Sequence, residues 1–170
     1  MIQVTKPNAI FLSPHGNEEK KEALIKSAIT ATTFMPGSLV AFVGNELEPS
    51  DTAGDAVAVA DIAVCSAGSI HDSYVGTSST GGLKKETRNR VNFRYPAVGE
   101  YVRLIVSDET DIEIGTFVEP GTGGGVVISG SSGARAAASV GRAVGVVETS
   151  RYDETVQWVV VEICHPSLAA

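Results

Sequence analysis

The sequence predicts an all-β protein, a compact β-barrel or sandwich-like domain with an extended N-terminal arm. Three observations carry that prediction. Between Val98 and Ile163, short runs of valine and isoleucine are cut at regular intervals by glycine, proline, serine or acidic residues. Such runs suit pleated, half-buried strands, and the breaks suit turns that need a positive or fixed φ. The chain has 18 glycines but only 6% aromatic residues, which leans the same way. Its 170 residues, 43% hydrophobic and 19% charged, are enough for one domain with one core.

Residues 1–33 read as the arm. Ile2 and Val4 alternate, Pro7 interrupts, and Ile10-Phe11-Leu12 forms an apolar patch before Pro14 and Gly16. The segment is too short to make a stable sheet alone and too apolar for a solvated tail. Its apolar residues therefore need a surface, either a neighbouring subunit or a partner. Residues 17–31 fit a short helix, with Asn17 as N-cap and Glu18 and Glu19 in the first turn. The run from Ile29 to Thr33 favours extended structure instead, so helix and strand both stay open here.

The body spans residues 34–163. Phe34-Met35-Pro36-Gly37 is a turn that launches a strand from Leu39 to Val43, and Gly44-Asn45 makes the next turn. Glu48 to Asp55 reads as an acidic loop. From Ala56 to Val64 the alternation of Val57 and Val59 slips at Asp61 to Ile62 and Val64, the pattern of a β-bulge. A glycine- and serine-rich stretch, Ser66 to Gly82, leads to a basic cluster of Lys84, Lys85, Arg88, Arg90 and Arg94. Further strands are expected near 100–106, 116–119, 125–129, 140–147 and 155–163. The last is apolar enough for burial on both faces, with Trp158 and Val160 as candidates for a subunit interface. Residues 164–170 form a short tail.

Chemistry is sparse along the chain. His71-Asp72-Ser73 has the residue types of a nucleophilic triad, but consecutive residues do not point at one another as that mechanism requires. His15, His71 and His165 stand apart from each other and from cysteine, without metal-ligand spacing. Gly121-Thr122-Gly123-Gly124-Gly125 resembles a phosphate loop. A phosphate cradle leads into a helix, however, and Val126-Val127-Ile128 is a strand pattern, so a hairpin turn is the better reading. Gly130-Ser131-Ser132-Gly133 is a second turn of that kind. Asp108, Asp111 and Glu113 read as a solvated turn rather than an acid–base pair or cation site. No catalytic residue, metal site or cofactor is expected, and the chain reads as a non-enzyme. Cys65 and Cys164 lack CxxC spacing and read as buried thiols of a protein made in a reducing compartment.

Charge bounds the partners. The net charge of −7 argues against nucleic acid, and no apolar run approaches membrane-spanning length. No signal peptide is visible. The Lys84–Arg94 cluster is a candidate for electrostatic docking on an acidic surface. Its counterpart is a run of acids, Asp108, Glu109, Asp111, Glu113 and Glu119, with no basic residue between Leu104 and Ala134. A hairpin around Glu148 and Tyr152 resembles the uridine-recognition hairpin of trimeric all-β dUTPases. Arg151 precedes Tyr152 instead of following it, and the phosphate motif of those enzymes is missing.

Read end to end, the chain resembles the head decoration, or cement, proteins of tailed bacteriophages. The resemblance rests on ordered pieces: Thr5-Lys6-Pro7-Asn8 with Leu12-Ser13-Pro14-His15-Gly16, then Pro36-Gly37-Ser38-Leu39-Val40, then His71-Asp72-Ser73-Tyr74. Val98-Gly99-Glu100, Ile114-Gly115-Thr116-Phe117-Val118-Glu119-Pro120-Gly121 and Val140-Gly141-Arg142-Ala143-Val144 complete it. The basic cluster and the Gly121–Gly133 region depart from that pattern. The resemblance implies a non-catalytic virion protein, made in the host cytoplasm, that sits on the outside of the expanded capsid. It implies a homotrimer, with a dimer as the alternative, and the major capsid protein as partner. The arm residues Ile2, Val4, Ile10, Phe11 and Leu12 would contact capsid or a sister subunit. A rival expectation is a small β adhesion or ligand-binding module that meets a host surface or carbohydrate.

Overall fold

The structure, a computed structural model, describes residues 21–25, 37–50, 58–63, 90–107, 111–149 and 157–164. The described chain is almost entirely β and falls into two sheets, as the sequence predicts. The first is a closed barrel of β1 (Lys21–Ile25), β2 (Leu39–Val43), β3 (Glu46–Pro49), β4 (Ala58–Ala63) and β5 (Arg90–Arg94), in the order β1-β3-β2-β4-β5. The second contains β6 (Tyr101–Ile105), β7 (Phe117–Pro120), β8 (Val126–Ile128), β9 (Gly141–Ala143), β10 (Glu148–Thr149) and β11 (Gln157–Ile163).

Local chemistry explains the first barrel. Gly44 and Asn45 turn β2 back onto β3, with Val43 opposite Glu46 and Val40 opposite Pro49. β4 shifts register against β5 between Ala60 and Ala63, where the sequence pattern slips at Asp61. β1 closes the barrel by pairing in parallel with β3 and antiparallel with β5.

Two sequence expectations are corrected here. The segment 1–33, read as an arm, contains β1, so residues 21–25 belong to the first barrel. A helix of this length has little stability of its own, whereas a strand here gains a ladder on each side. Glu46–Pro49, partly assigned to an acidic loop, is β3. Its single inward apolar residue, Leu47, is fully buried.

β11 is the axis of the second sheet. It pairs with β6 along one edge, and with β9 and then β10 along the other. Between Ala143, opposite Val161, and Glu148, opposite Trp158, the chain carries extra residues. Of the strand expected over 140–147 only Gly141–Ala143 forms, and a bulged segment follows, with Val144 N–H reaching Val160 O at 2.9 Å. β9 pairs with β7, and β7 with β8. A parallel bridge between Val106 and Val126, with Ser107 N–H to Val126 O at 3.0 Å, brings the end of β6 against β8. The second sheet thus curls back on itself.

Alternation then decides what is inside. Val159, Val161 and Ile163 of β11 turn inward to meet Val102, Leu104 and Val106, with Val118, Val126 and Ala143 from β7, β8 and β9. Leu39 and Val59 of the first barrel belong to the same buried cluster, so one core runs through both sheets. Each such side chain contributes about 1.5–3 kcal/mol on full burial.

The glycine-rich loop holds the two sheets together. Gly121–Gly125 is the tip of the β7–β8 hairpin, built on a 3-10 turn at Thr122–Gly124, and it leads into a strand as predicted. Gly124 has φ +81°, and a Cβ there would lie 2.7 Å from Leu39 O and 3.1 Å from Pro49 Cβ. Only glycine fits where the hairpin tip presses on the first barrel.

Candidate interaction surface

The arm residues Ile2, Val4, Ile10, Phe11 and Leu12 lie outside the described residues, as do Lys84, Lys85, Arg88, Cys65 and the His71-Asp72-Ser73 segment. What the structure shows of the arm is its root. Lys21 opens a strand flanked by β3 and β5, with Lys21 opposite Phe93 and Leu24 opposite both Arg90 and Glu46. Arg90 therefore sits in the β1–β5 ladder.

Arg94 is a correction to the docking cluster. It is only 7% exposed, and its guanidinium bonds Oε1 of Glu100 at 2.5 Å. Glu100 is fully buried, and its other oxygen accepts the Ala97 N–H at 2.9 Å. A buried carboxylate requires a partner of this kind, because an unmatched charge in the interior is costly. The pair bridges the end of β5 and the start of β6, where the chain passes from the first sheet to the second. Arg94 is therefore spent inside the protein and presents no charge to a partner.

Trp158 and Val160 lie on the outward face of β11, both half-buried. The expectation of burial on both faces thus holds fully for the inward face and partly for the outward one. Trp158 stands between Ile105 and Glu148, Val160 opposite Arg103, and Glu162 between Tyr101 and Arg142. Glu162 and Arg142 form an exposed cross-strand ion pair at 2.9 Å. The indole Nε1 of Trp158 is buried without a hydrogen-bond partner. This face mixes aromatic, aliphatic and arginine side chains, the composition enriched where proteins meet.

Of the acidic run, Asp108 and Glu109 lie outside the described residues. Asp111 and Glu113 are exposed. Glu119 instead accepts the Ser129 hydroxyl at 3.0 Å, and Ser129 and Ser139 share a buried hydrogen bond of 2.8 Å. Among the described residues no three His, Cys, Asp or Glu side chains gather as a metal site, and no helix is long and apolar enough to cross a membrane. Cys164 is a half-buried free thiol. Burial pushes it above the ordinary 9.0; Arg135 pulls the other way, Glu162 adds to the rise and Arg142 again opposes it.

Sequence reasoning missed several exposed apolar side chains on the described body: Phe42, Val43, Val98, Tyr101, Ile114 and Val146. Phe42 meets Phe93 edge-on at 5.3 Å, and Phe93 meets Tyr95 at 5.7 Å, so Phe42 is partly accounted for by packing. Val98 and Ile114 each precede a glycine just ahead of a strand, and that dipeptide was the available signal. Comparison with known protein families finds none that matches the chain, and comparison with curated proteins finds none similar to it.

Proposed function

We propose that this chain is a structural virion protein that binds the outside of an expanded phage capsid as a homotrimer and stabilises the head against internal DNA pressure. The observation that carries the reading is the root of the arm. A segment that staples a neighbour must transmit tension to its own body, and eight residues separate Leu12, the last of the arm's apolar residues named above, from β1. β1 is held by a ladder on each side inside a closed barrel, so pull on the arm is shared by two strands.

The energetics are those of mass action. A protein that binds only the expanded lattice stabilises it by RT ln(1 + [L]/Kd). Linked contacts through three arms raise the effective strength without any new contact. Burying three or four of Ile2, Val4, Ile10, Phe11 and Leu12 is worth several kcal/mol at about 25 cal/mol per Å², less the cost of ordering the arm. Trp158 and Val160 supply a subunit-facing surface in this reading, and Lys84, Lys85 and Arg88 an electrostatic approach to the acidic part of a neighbour.

The test mixes purified protein with expanded, undecorated heads of its own phage and measures co-sedimentation, stoichiometry and head stability. Saturation in multiples of three with a raised capsid melting temperature is expected. Failure to co-sediment at any concentration overturns the reading and favours an adhesion or ligand-binding module.

A further inference from the structure

The turn ahead of β7 is built to present a side chain. Ile112 is buried in the core, while Asp111, Glu113 and Ile114 project outward, Ile114 at 67% exposure. Thr116 N–H bonds Glu113 O at 3.0 Å and Gly115 has φ +97°, the geometry of a type II turn with Ile114 at its corner. Gly115 N–H is tied to Ala143 O at 2.8 Å, and Thr116 O takes the Ala143 N–H at the same distance. The corner gains nothing in folding from an isoleucine, since any residue that tolerates negative φ serves there. A large apolar side chain carried on a backbone that is already fixed leaves only its own rotamers to order on binding.

Its surroundings indicate what it meets. Gly133 packs against Thr116, and Gly133 O accepts the Phe117 N–H at 2.9 Å, so the loop after β8 lies beside the turn. That loop exposes Ala134, Arg135, Ala136 and Ala137. The turn and the loop beside it therefore expose two carboxylates, an apolar tip, three alanines and a guanidinium. Asp111, Glu113 and Arg135 form no ion pair with any other described side chain. A surface with both signs of charge flanking an apolar centre is complementary to another copy of itself.

We propose that this patch is a contact between copies of the chain, with Glu113 and Asp111 of one copy facing Arg135 of the next and Ile114 buried between them. The proposal rests on the self-association contained in the reading above and adds to the Trp158–Val160 face named there a second contact between copies. In a closed ring the apolar tips converge towards the axis and the charges alternate around it.

The test needs no capsid. The full chain is sized by analytical ultracentrifugation at micromolar concentration, beside Ile114→Asp, Glu113→Arg, Arg135→Glu and the double reversal Glu113→Arg with Arg135→Glu. The wild type is expected to assemble, each single variant to associate about tenfold or more weakly, and the double reversal to recover assembly. Circular dichroism should match the wild type, because all three side chains are exposed; Ile114→Ser and Arg135→Gln replace any variant that misfolds. A monomeric wild type, single variants that assemble normally, or a double reversal no better than its parents overturns the proposal. Head binding is scored separately. Assembly that depends on the patch without head binding defeats the capsid reading alone, whereas patch variants that still assemble and bind heads defeat this contact alone.

Discussion

Glu100 has no exposed surface, and its two oxygens have separate partners, the Arg94 guanidinium and the Ala97 N–H. Removing one member leaves the other charge stranded, so Arg94→Met or Glu100→Leu alone should cost about 3–5 kcal/mol, while the double replacement recovers much of that loss. Urea unfolding of the three variants checks this, and additive costs would contradict it. The pair was not legible in the sequence. Its members are six residues apart in an extended segment, and only the passage from one sheet to the other brings them together. Arg94 looked like part of a basic run because charge in a sequence carries no mark of burial. Cys164 gives a pH test. Its raised pKa means the folded chain keeps the thiol proton longer than the unfolded chain does. That contribution is intact below the unfolded value and fades as pH rises through the folded one. Cys164→Ser should therefore lose less stability than the wild type between pH 8 and pH 10 in paired thermal melts. At neutral pH, native Cys164 should alkylate more slowly than in urea, as peptide mapping would show.

Strands differed in how plainly the sequence announced them. β11 alternates Val159, Val161 and Ile163 against Trp158, Val160 and Glu162, and period two with β-branched residues leaves little else to form. β4 even carried its bulge as a slip in phase. β1 and β3 were harder because neither has a hydrophobic pattern to read: KEALI fits a helix turn, and ELEP has one apolar residue that points inward. Both are strands because a barrel needs closing, and the sheet supplies what propensity does not. The candidate surface was legible in the same uneven way. Trp158 and Val160 fall on the outward face, as strand parity requires, whereas the Ile114 corner was hidden inside turn grammar common to many β proteins. Because β1 has a neighbour on each edge, Ala23→Pro should remove a ladder hydrogen bond that no solvent can replace. A loss of about 1–3 kcal/mol in chemical denaturation is expected, and an unchanged midpoint would mean β1 does not close the barrel in solution.

At the scale of the molecule, the proposed division of labour between arm and body can be tested by truncation. Removing residues 1–16 leaves β1 in place, so the truncated chain should melt within a few degrees of the full one yet lose co-sedimentation with expanded heads. Retained binding would place the capsid contact on the body instead. The pairing of β1 sets the order of events at birth. β1 leaves the ribosome before either of its partners, since β3 ends at Pro49 and β5 is complete only at Arg94. Until then β1 has an open edge and no second partner, and at about 5–20 residues per second that interval lasts for seconds. Closure of the first barrel is thus a non-local event of high contact order, and such events are slow and prone to pairing with the wrong neighbour. The strand that the finished barrel holds on both edges is also the one that a nascent chain must keep out of trouble longest.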